Sequence, residues 1–379
     1  MINSDRLRDT FDRLVRIDSE SREERKIALE LTKMLEQMGA TVAFDRAAEM
    51  TGGNCGNLIA KFKGTVDREP FFLSGHMDTV KPGKGVVPVF ENGTFKSRGD
   101  TILGADDKSA LAIVLEVMQV VLENGIEHPP VEIVFTVCEE IGLLGAKYFD
   151  YSMIDSSFGY ILDSTDPEGI VTNAPSGVKL DIKVHGRTAH AGGEPEKGIN
   201  AIAVASKAIS GLEIGRIDHE TTCNLGIIKG GTAVNIVPDL VEIAGEVRSH
   251  NEEKLEKVTS DIKKAFKDTA REFSNGSNLP SVDFVVKADY PKTAIPADHK
   301  VIRLAEKAGK NIGVPLKQKS VGGGSDANFF FSRSIVAGVL GTGMKDVHTV
   351  NENIALQDMV NTGSLLLEII RLHAAGGVE

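Results

Sequence analysis

Two side chains with metal-binding chemistry stand two residues apart in "SGHMDTV", His76 and Asp78, directly after the apolar run "FFL". On a strand, residues i and i+2 share a face, so this imidazole and carboxylate point into the same space. A neighbouring carboxylate is a common means of holding a metal-ligating histidine in one tautomer. More acids stand where other apolar runs stop: Asp106 in "LGADDKSA", Glu139 and Glu140 after "VEIVFTVC", and Asp163 after "GYIL". Singly, each has an ordinary explanation, such as a satisfied pair, a helix N-cap or a solvated turn. Jointly, at successive strand ends, they make a donor set for cations, because carboxylates a few ångströms apart cannot all stay ionised without compensating charge. Two cations about 3.5–4 Å apart need a bridging carboxylate, and nitrogen and oxygen ligands of this kind suit zinc. Manganese and cobalt suit the same ligands. One more carboxylate, off the metal, has to take a proton from the attacking water. Adjacent residues beyond a strand end point in different directions, so the Glu139–Glu140 pair can divide the two tasks.

The elements that must position these residues follow from the hydrophobic pattern. "SREERKIALELTKMLEQMG" reads as a helix with Ser21 as N-cap, Glu24 three residues later and Gly39 at its end. "NLIAKFKG", "EPFFLSGH", "PPVEIVFTVCEE" and "FGYILDS" read as strands, and "ADDKSALAIVLEVMQVVLENG" as a long helix. Strands alternating with helices predict an α/β fold, a mostly parallel sheet flanked by helices. Ligands bind such sheets beyond the carboxyl ends of the strands, where the candidate residues lie. From about residue 174 the texture changes. "GVKLDIKVHG" alternates, and strand, helix, strand, strand, helix, strand follow as far as "SVDFVVKAD". That order predicts a ferredoxin-like α+β module with an open antiparallel sheet. The α/β pattern then resumes. The predicted organisation is a metal-binding catalytic domain from residues 1–174 and 290–379, with residues 175–289 inserted into it.

The chain has 379 residues, 41% of them apolar and 26% charged, with a formal net charge of −11. This acidity excludes a general nucleic-acid binder and disfavours docking on an anionic membrane. Cys55, Cys138 and Cys223 are odd in number and widely spaced, which fits a reducing compartment. The charged, amphipathic N-terminus lacks the apolar core of a signal peptide. A cytoplasmic protein is expected.

The motifs "SGHMDTV", "GADDKSALA", "VCEEIGLLGA", "ILD" and "HAGGEPEKGINAI" resemble, in order and spacing, the M20 family of dinuclear zinc peptidases and deacylases. "HMDTVKPGKGV" and the "GADDK" and "TVCEE" forms are most similar to its peptidase T (tripeptidase) branch. The resemblance spans nearly the whole chain and implies a zinc-exopeptidase-like catalytic domain with an inserted lid or dimerisation domain. It implies two Zn2+ per subunit: His76, Asp106 and Asp163 on one, Asp106, Glu140 and His348 on the other, with Asp106 as bridge. It makes Asp78 the residue that orients His76, Glu139 the general base acting on a metal-bridging water, and Asp106–Asp107 a cis peptide. His190, in "GRTAHAGG", becomes a donor to the substrate carbonyl oxygen, working on a lid that closes.

Asn235 is a candidate hydrogen-bond donor to substrate, and Arg248 is suited to clamping a peptide's terminal carboxylate. "VGGGSDANFF" reads either as a turn with positive φ or as a substrate-facing wall formed by Gly323, Gly324 and Ser325. It is no nucleotide loop, since no GKS or GKT follows. The function implied is a tripeptide aminopeptidase-like exopeptidase acting on short peptides, and a homodimer through the inserted domain is compatible with it. Its competitors are an N-acyl amino acid deacylase or carboxypeptidase on the same scaffold, and a non-catalytic binding protein. The last should have lost Glu139 or a metal ligand, and every expected position is filled.

Overall fold

Apolar runs without polar alternation become strands buried on both faces. Phe71–His76 and Val131–Thr136 are buried at every position. They lie in the middle of a nine-stranded sheet ordered Thr41–Phe44, Leu58–Phe62, Val131–Thr136, Phe71–His76, Phe158–Ser164, Val336–Gly341, Gly169–Ala174, Thr293–Ala294, with Lys317–Ser320 also paired to Gly169–Ala174. The four inner strands from Val131–Thr136 to Val336–Gly341 run parallel, so their carboxyl ends share one edge. Alternation splits their side chains between two cores. Phe71, Leu73, Ile133, Phe135 and Tyr160 pack on one side with the helix Ala105–Glu123, and Phe72, Val134 and Ile161 pack on the other with Phe330. The helix Ala105–Glu123 is buried over most of its surface and packs against Ser4–Val15 and Leu356–Ala374.

The computed structural model describes residues 1–274 and 279–377, so the last two residues of the expected catalytic segment, and 275–278 of the insertion, lie outside the described residues. The chain divides into two compact units. One comprises Met1–Asn173, Thr293–Val321 and Ser325–Glu379; the other comprises Ala174–Lys292 and Gly322–Gly324. The second holds an antiparallel sheet ordered Gly215–Arg216, Thr221–Gly230, Leu240–Ser249, Ser176–His185, Ser281–Tyr290. The helices Ala201–Ser210 and Glu252–Glu272 pack together and against this sheet through Leu180, Ile182, Val184, Val204, Ile262 and Phe266. Among the described residues no helix is long and apolar enough to cross a membrane.

Two local expectations need correction. Ser21 does not cap the second helix, which runs Arg25–Gln37 from Glu24. Its hydroxyl donates instead to the buried Asp78 carboxylate (2.6 Å), a charged acceptor that outcompetes a helix amide. None of Gly322–Gly324 has positive φ. Gly324 is required by close approach instead, since a Cβ there would lie 2.7 Å from the Tyr290 ring.

Candidate metal centre

The parallel register sets His76 beside Thr136, so the two strands deliver their carboxyl ends together. His76 is held from three directions. Its backbone N–H donates to Asp107 Oδ2 (3.1 Å), its Nδ1 lies 2.9 Å from the Asp78 carbonyl oxygen, and its Nε2 lies 3.0 Å from Asp106 Oδ1. Gly75 is needed here, because a Cβ would stand 2.7 Å from Asp107 Oδ2. The other oxygen of Asp106 faces a different imidazole: His348 Nε2 is 3.2 Å from Asp106 Oδ2 and 3.0 Å from Glu140 Oε2. One carboxylate thus addresses two histidines that are far apart in the chain. Ligand atoms of His76, Asp106 and Glu140 all lie within 4.8 Å of one another. Asp163, next to last in the neighbouring strand, stands outside that triplet. The Asp106–Asp107 peptide is cis.

Asp78 does more than sit beside His76. Its Oδ1 is 3.5 Å from His76 Nδ1, and its two oxygens accept from the backbone N–H groups of Glu139 (2.9 Å) and Glu140 (3.2 Å). It therefore fixes the Glu–Glu turn as well as the imidazole. Glu24 performs a similar task one residue earlier, accepting from the Cys138 N–H (3.0 Å) and the Arg22 N–H (2.8 Å). Cys138 and His348, both at the site, are non-glycine residues in the left-handed region, with φ of 55° and 63°. Such backbone is costly and is held by its surroundings.

The electrostatics follow from crowding. Burial, and then the charge of Asp163, push the Glu139 carboxyl well above the usual range; burial, and then Asp106, do the same to Asp163. Burial raises Glu140 too, against a hydrogen bond from His348. Burial opposes ionisation of Asp106, but hydrogen bonds from His348 and His76 outweigh it and hold this carboxyl low. Hydrogen bonds to Asp106 and Glu140 raise His348 to about 10. Two imidazoles thus supply the only side-chain positive charge in direct contact with Asp106 and Glu140 among the described residues. Glu140 Oε1 is buried without a partner. A bridging carboxylate, imidazole Nε2 atoms on either side of it and an unpartnered carboxylate oxygen form a donor set that fits divalent cations.

The remaining candidates are carried by both units. On the inserted unit, His190 Nδ1 accepts from the N–H groups of Gly192 (3.2 Å) and Gly193 (2.9 Å), which leaves its Nε2 as the ring donor. Asn235 is close by, its carbonyl accepting from the Ala191 N–H (3.0 Å). Arg248 Nη2 donates to Glu246 (2.9 Å), and its Nη1 approaches the Gly322 carbonyl at 3.4 Å. Gly323 belongs to the same cluster: a Cβ there would lie 3.8 Å from Arg248 Nη1. Ser325, on the other unit, donates its N–H to Asn328 (3.0 Å).

Two further acids belong here, of which sequence reasoning passed over Glu352 and noted Asp326 only as a neighbour of the Gly-rich segment. Glu352 is 1% exposed, and its carboxylate accepts from the N–H groups of Leu103 (2.8 Å), Gly104 (2.7 Å) and Asp106 (2.9 Å). It ties the segment carrying His348 to the loop carrying Asp106. Asp326 accepts from Thr136 Oγ1 (2.5 Å) and has its second oxygen buried without a partner. Glu352 reads as polar loop in "NENI", and only its four-residue distance from His348 pointed to it.

Residues 72–372 match the family model described as Peptidase family M20/M25/M40. The chain is 43% identical to the uncharacterized protein YqjE of Bacillus subtilis (strain 168), over 98% of this chain and 99% of that one. It superposes on the crystal structure of aminopeptidase PepT from Bacillus cereus with a TM-score of 0.90 at 40% identity, covering 99% of both chains. A tripeptidase from Staphylococcus aureus superposes with a TM-score of 0.95 at 37% identity, covering 99% of this chain and all of the other (100%). These matches, together with the α/β fold, define the class as a peptidase, a kind of hydrolase. The chain belongs to peptidase family M20/M25/M40, and within it lies in the peptidase T-like branch.

Proposed function

We propose that this protein is a metal-dependent exopeptidase, tripeptide aminopeptidase-like, that hydrolyses short peptides in the cytoplasm. The observation that carries the reading is Asp106 addressing His76 with one oxygen and His348 with the other, with Glu140 sharing His348 and Glu139 next to Glu140 in the chain. His76, Asp106 and Asp163 would hold one divalent cation, and Asp106, Glu140 and His348 a second, with zinc the expected metal. Bound there, the cations would supply Lewis acidity to the scissile carbonyl and acidify the attacking water.

The chain's own groups do the rest. Glu139 takes the proton from the water that adds to the carbonyl carbon and returns it to the departing amine. Its backbone is fixed by Asp78, so the carboxylate is aimed before substrate arrives. On the inserted unit, the Nε2–H of His190 is the proposed donor to the carbonyl oxygen as charge develops. Asn235 is the proposed donor to the peptide backbone, Arg248 the clamp for a terminal carboxylate, and Gly323, Gly324 and Ser325 the wall beside it. The likeness to a PepT aminopeptidase and a tripeptidase supports peptides over N-acyl amino acids.

The test is metal content together with turnover of a panel containing a tripeptide and an N-acetyl amino acid, for the parent and for Glu139→Gln. The variant should keep its metal and lose about 10²–10⁴-fold in kcat. Parent-like turnover by the variant would remove Glu139 from its role, and preference for the N-acetyl compound would move the protein to the deacylases.

A further inference from the structure

Three segments that carry the metal site meet one short stretch near the N-terminus. Residues 17–24 lie between the helices Ser4–Val15 and Arg25–Gln37. Their first contact is to the helix Ala105–Glu123, where the buried Lys108, two residues after Asp106, donates to the Ile17 carbonyl (2.7 Å). The second is to the chain that leaves the strand of His76. The Thr79 N–H donates to the Ser19 carbonyl (3.0 Å), the Ser21 N–H donates to the Thr79 carbonyl (3.3 Å), and the Ser21 hydroxyl donates to Asp78 Oδ2 (2.6 Å). The third is to the Glu139–Glu140 turn, through Glu24.

Glu24 is fully buried, and a single one of its oxygens makes all of these contacts. Its Oε1 accepts from the Arg22 N–H (2.8 Å), the Cys138 N–H (3.0 Å) and the Cys138 thiol (3.3 Å), while Oε2 has no partner. Arg22 and Cys138 are both non-glycine residues in the left-handed region, with φ of 77° and 55°. Backbone of that kind persists where its surroundings over-determine it, and here one oxygen ties the two residues together. Beyond Cys138, the N–H groups of Glu139 and Glu140 go to the two oxygens of Asp78. Three successive amides are thus met by two buried carboxylates. One of these is Glu24, and the other is held by Ser21.

We propose that residues 17–24 are a positioning loop for the metal site, in which Glu24, through Cys138, and Ser21, through Asp78, set the direction of Glu139 and Glu140. Its effect on Glu139 as base rests on the peptidase reading. Its effect on Glu140 needs only that the site binds a divalent cation. Neither Ser21 nor Glu24 acts on substrate or metal directly, and each works through a residue that holds the turn. A displaced turn carries two side chains with it, so metal binding and turnover should fall together.

The test compares the full-length parent with Glu24→Met, Glu24→Gln, Ser21→Ala and Asn54→Ala. Zinc affinity is read by competition against a chromophoric chelator, and tripeptide kinetics at saturating zinc. Glu24→Met keeps the side chain's volume and removes the acceptor. It should lose about 10–100-fold in zinc affinity and a similar factor in kcat, with KM held. Glu24→Gln keeps the oxygen that makes every contact and changes the unpartnered one, so it should recover most of both losses. Ser21→Ala leaves Glu24 intact and should lose about tenfold in each. Asn54 supports the same region away from the turn, its side chain accepting from the Arg25 N–H (2.9 Å). Asn54→Ala should therefore lower the melting temperature and leave zinc affinity and kcat at parent values. Parent-like zinc affinity and kcat in Ser21→Ala and Glu24→Met would overturn the loop. So would equal losses in Glu24→Gln and Glu24→Met, or losses that Asn54→Ala reproduces at the same fall in melting temperature. If Glu24→Met does not fold, Ser21→Ala decides by the same readouts. A parent that cleaves no peptide, but whose zinc affinity drops in Glu24→Met and returns in Glu24→Gln, would sink the peptidase reading and leave the loop standing.

Discussion

The catalytic unit buries carboxylates in two different ways. Glu116 and Glu132 are 3% and 2% exposed, and the protein itself meets their charge. Glu116 accepts from Arg6 Nε (2.5 Å), Arg6 Nη2 (3.0 Å) and the Asn3 N–H (2.8 Å). Glu132 accepts from the Ser156 hydroxyl (2.5 Å) and the N–H groups of Asp155 and Ser156, and pairs with Lys61 (2.7 Å). At the strand ends the acids face one another instead. Asp106, Glu139, Glu140, Asp163 and Asp326 are crowded, and Glu140 and Asp326 each keep an oxygen with no partner. A buried acid with its own cation holds a fold together. Buried acids that raise one another's proton affinity lower stability unless charge is imported. The first kind is structural and the second marks a site.

That contrast fails first, if it fails, on removal of metal. The protein stripped by chelation should lose all measurable peptide turnover and about 4 kcal/mol of stability relative to protein at a metal concentration a thousandfold above Kd, read as a fall in melting temperature. Its pH dependence should also reverse the usual acid trend. Burial raises Glu352 to about 7 and Asp326 to about 6, above their ordinary 4.5 and 3.8. Between these values the folded chain holds more protons than the unfolded one, so stability present at low pH is lost as pH climbs. Differential scanning calorimetry of the stripped protein should show melting temperature falling from about pH 4.5 to pH 7, and metal should flatten the slope. A stripped protein that grows more stable across that range would show that the site's acids are already compensated by protein.

Glu352 lies between the two kinds of acid. It is satisfied by three backbone N–H groups, yet one of them belongs to Asp106. In Glu352→Gln the amide presents one oxygen to three donors. It should lose about 10–100-fold in metal affinity, as mutation of a residue that orients a ligand typically does. Competition against a chromophoric chelator measures this directly. Parent-like affinity with reduced melting temperature would class Glu352 with Glu116.

How much of this was legible in the sequence depends on the range over which each residue acts. The strand-end acids could be read because apolar runs of strand length end in them, and a parallel sheet brings such ends to one edge. The inserted sheet could be read from its alternation. The small sheet of Pro88–Glu91, Thr94–Ser97, Met344–Lys345 and Asn353–Ala355 was passed over, since strands this short show no period. One signal for it was present: Asn92–Gly93, with φ of 50° and 79°, is the Asn-Gly turn that two-residue hairpins favour. Ser21 fitted a local capping pattern, but a charged acceptor 57 residues away took its hydroxyl. Glu24 and Glu352 act through contacts distant in sequence, and no local pattern announces such a contact.

The smallest effect tests the structural side of the contrast. Glu116→Gln keeps the side chain's shape and removes the charge that Arg6 and the Asn3 N–H were meeting. Asn3 is also the N-cap of the helix Ser4–Val15, its side chain accepting from the Arg6 N–H, so the substitution loosens the docking of that helix on Ala105–Glu123. The loss should be about 1–3 kcal/mol in urea unfolding, the cost of leaving buried donors poorly met. Metal affinity and kcat/KM should stay at the parent values, because Glu116 lies more than two helical turns from Asp106 along Ala105–Glu123. If metal affinity fell with stability, the two kinds of buried acid would be one coupled network, and the separation of fold from site drawn from their surroundings would not hold.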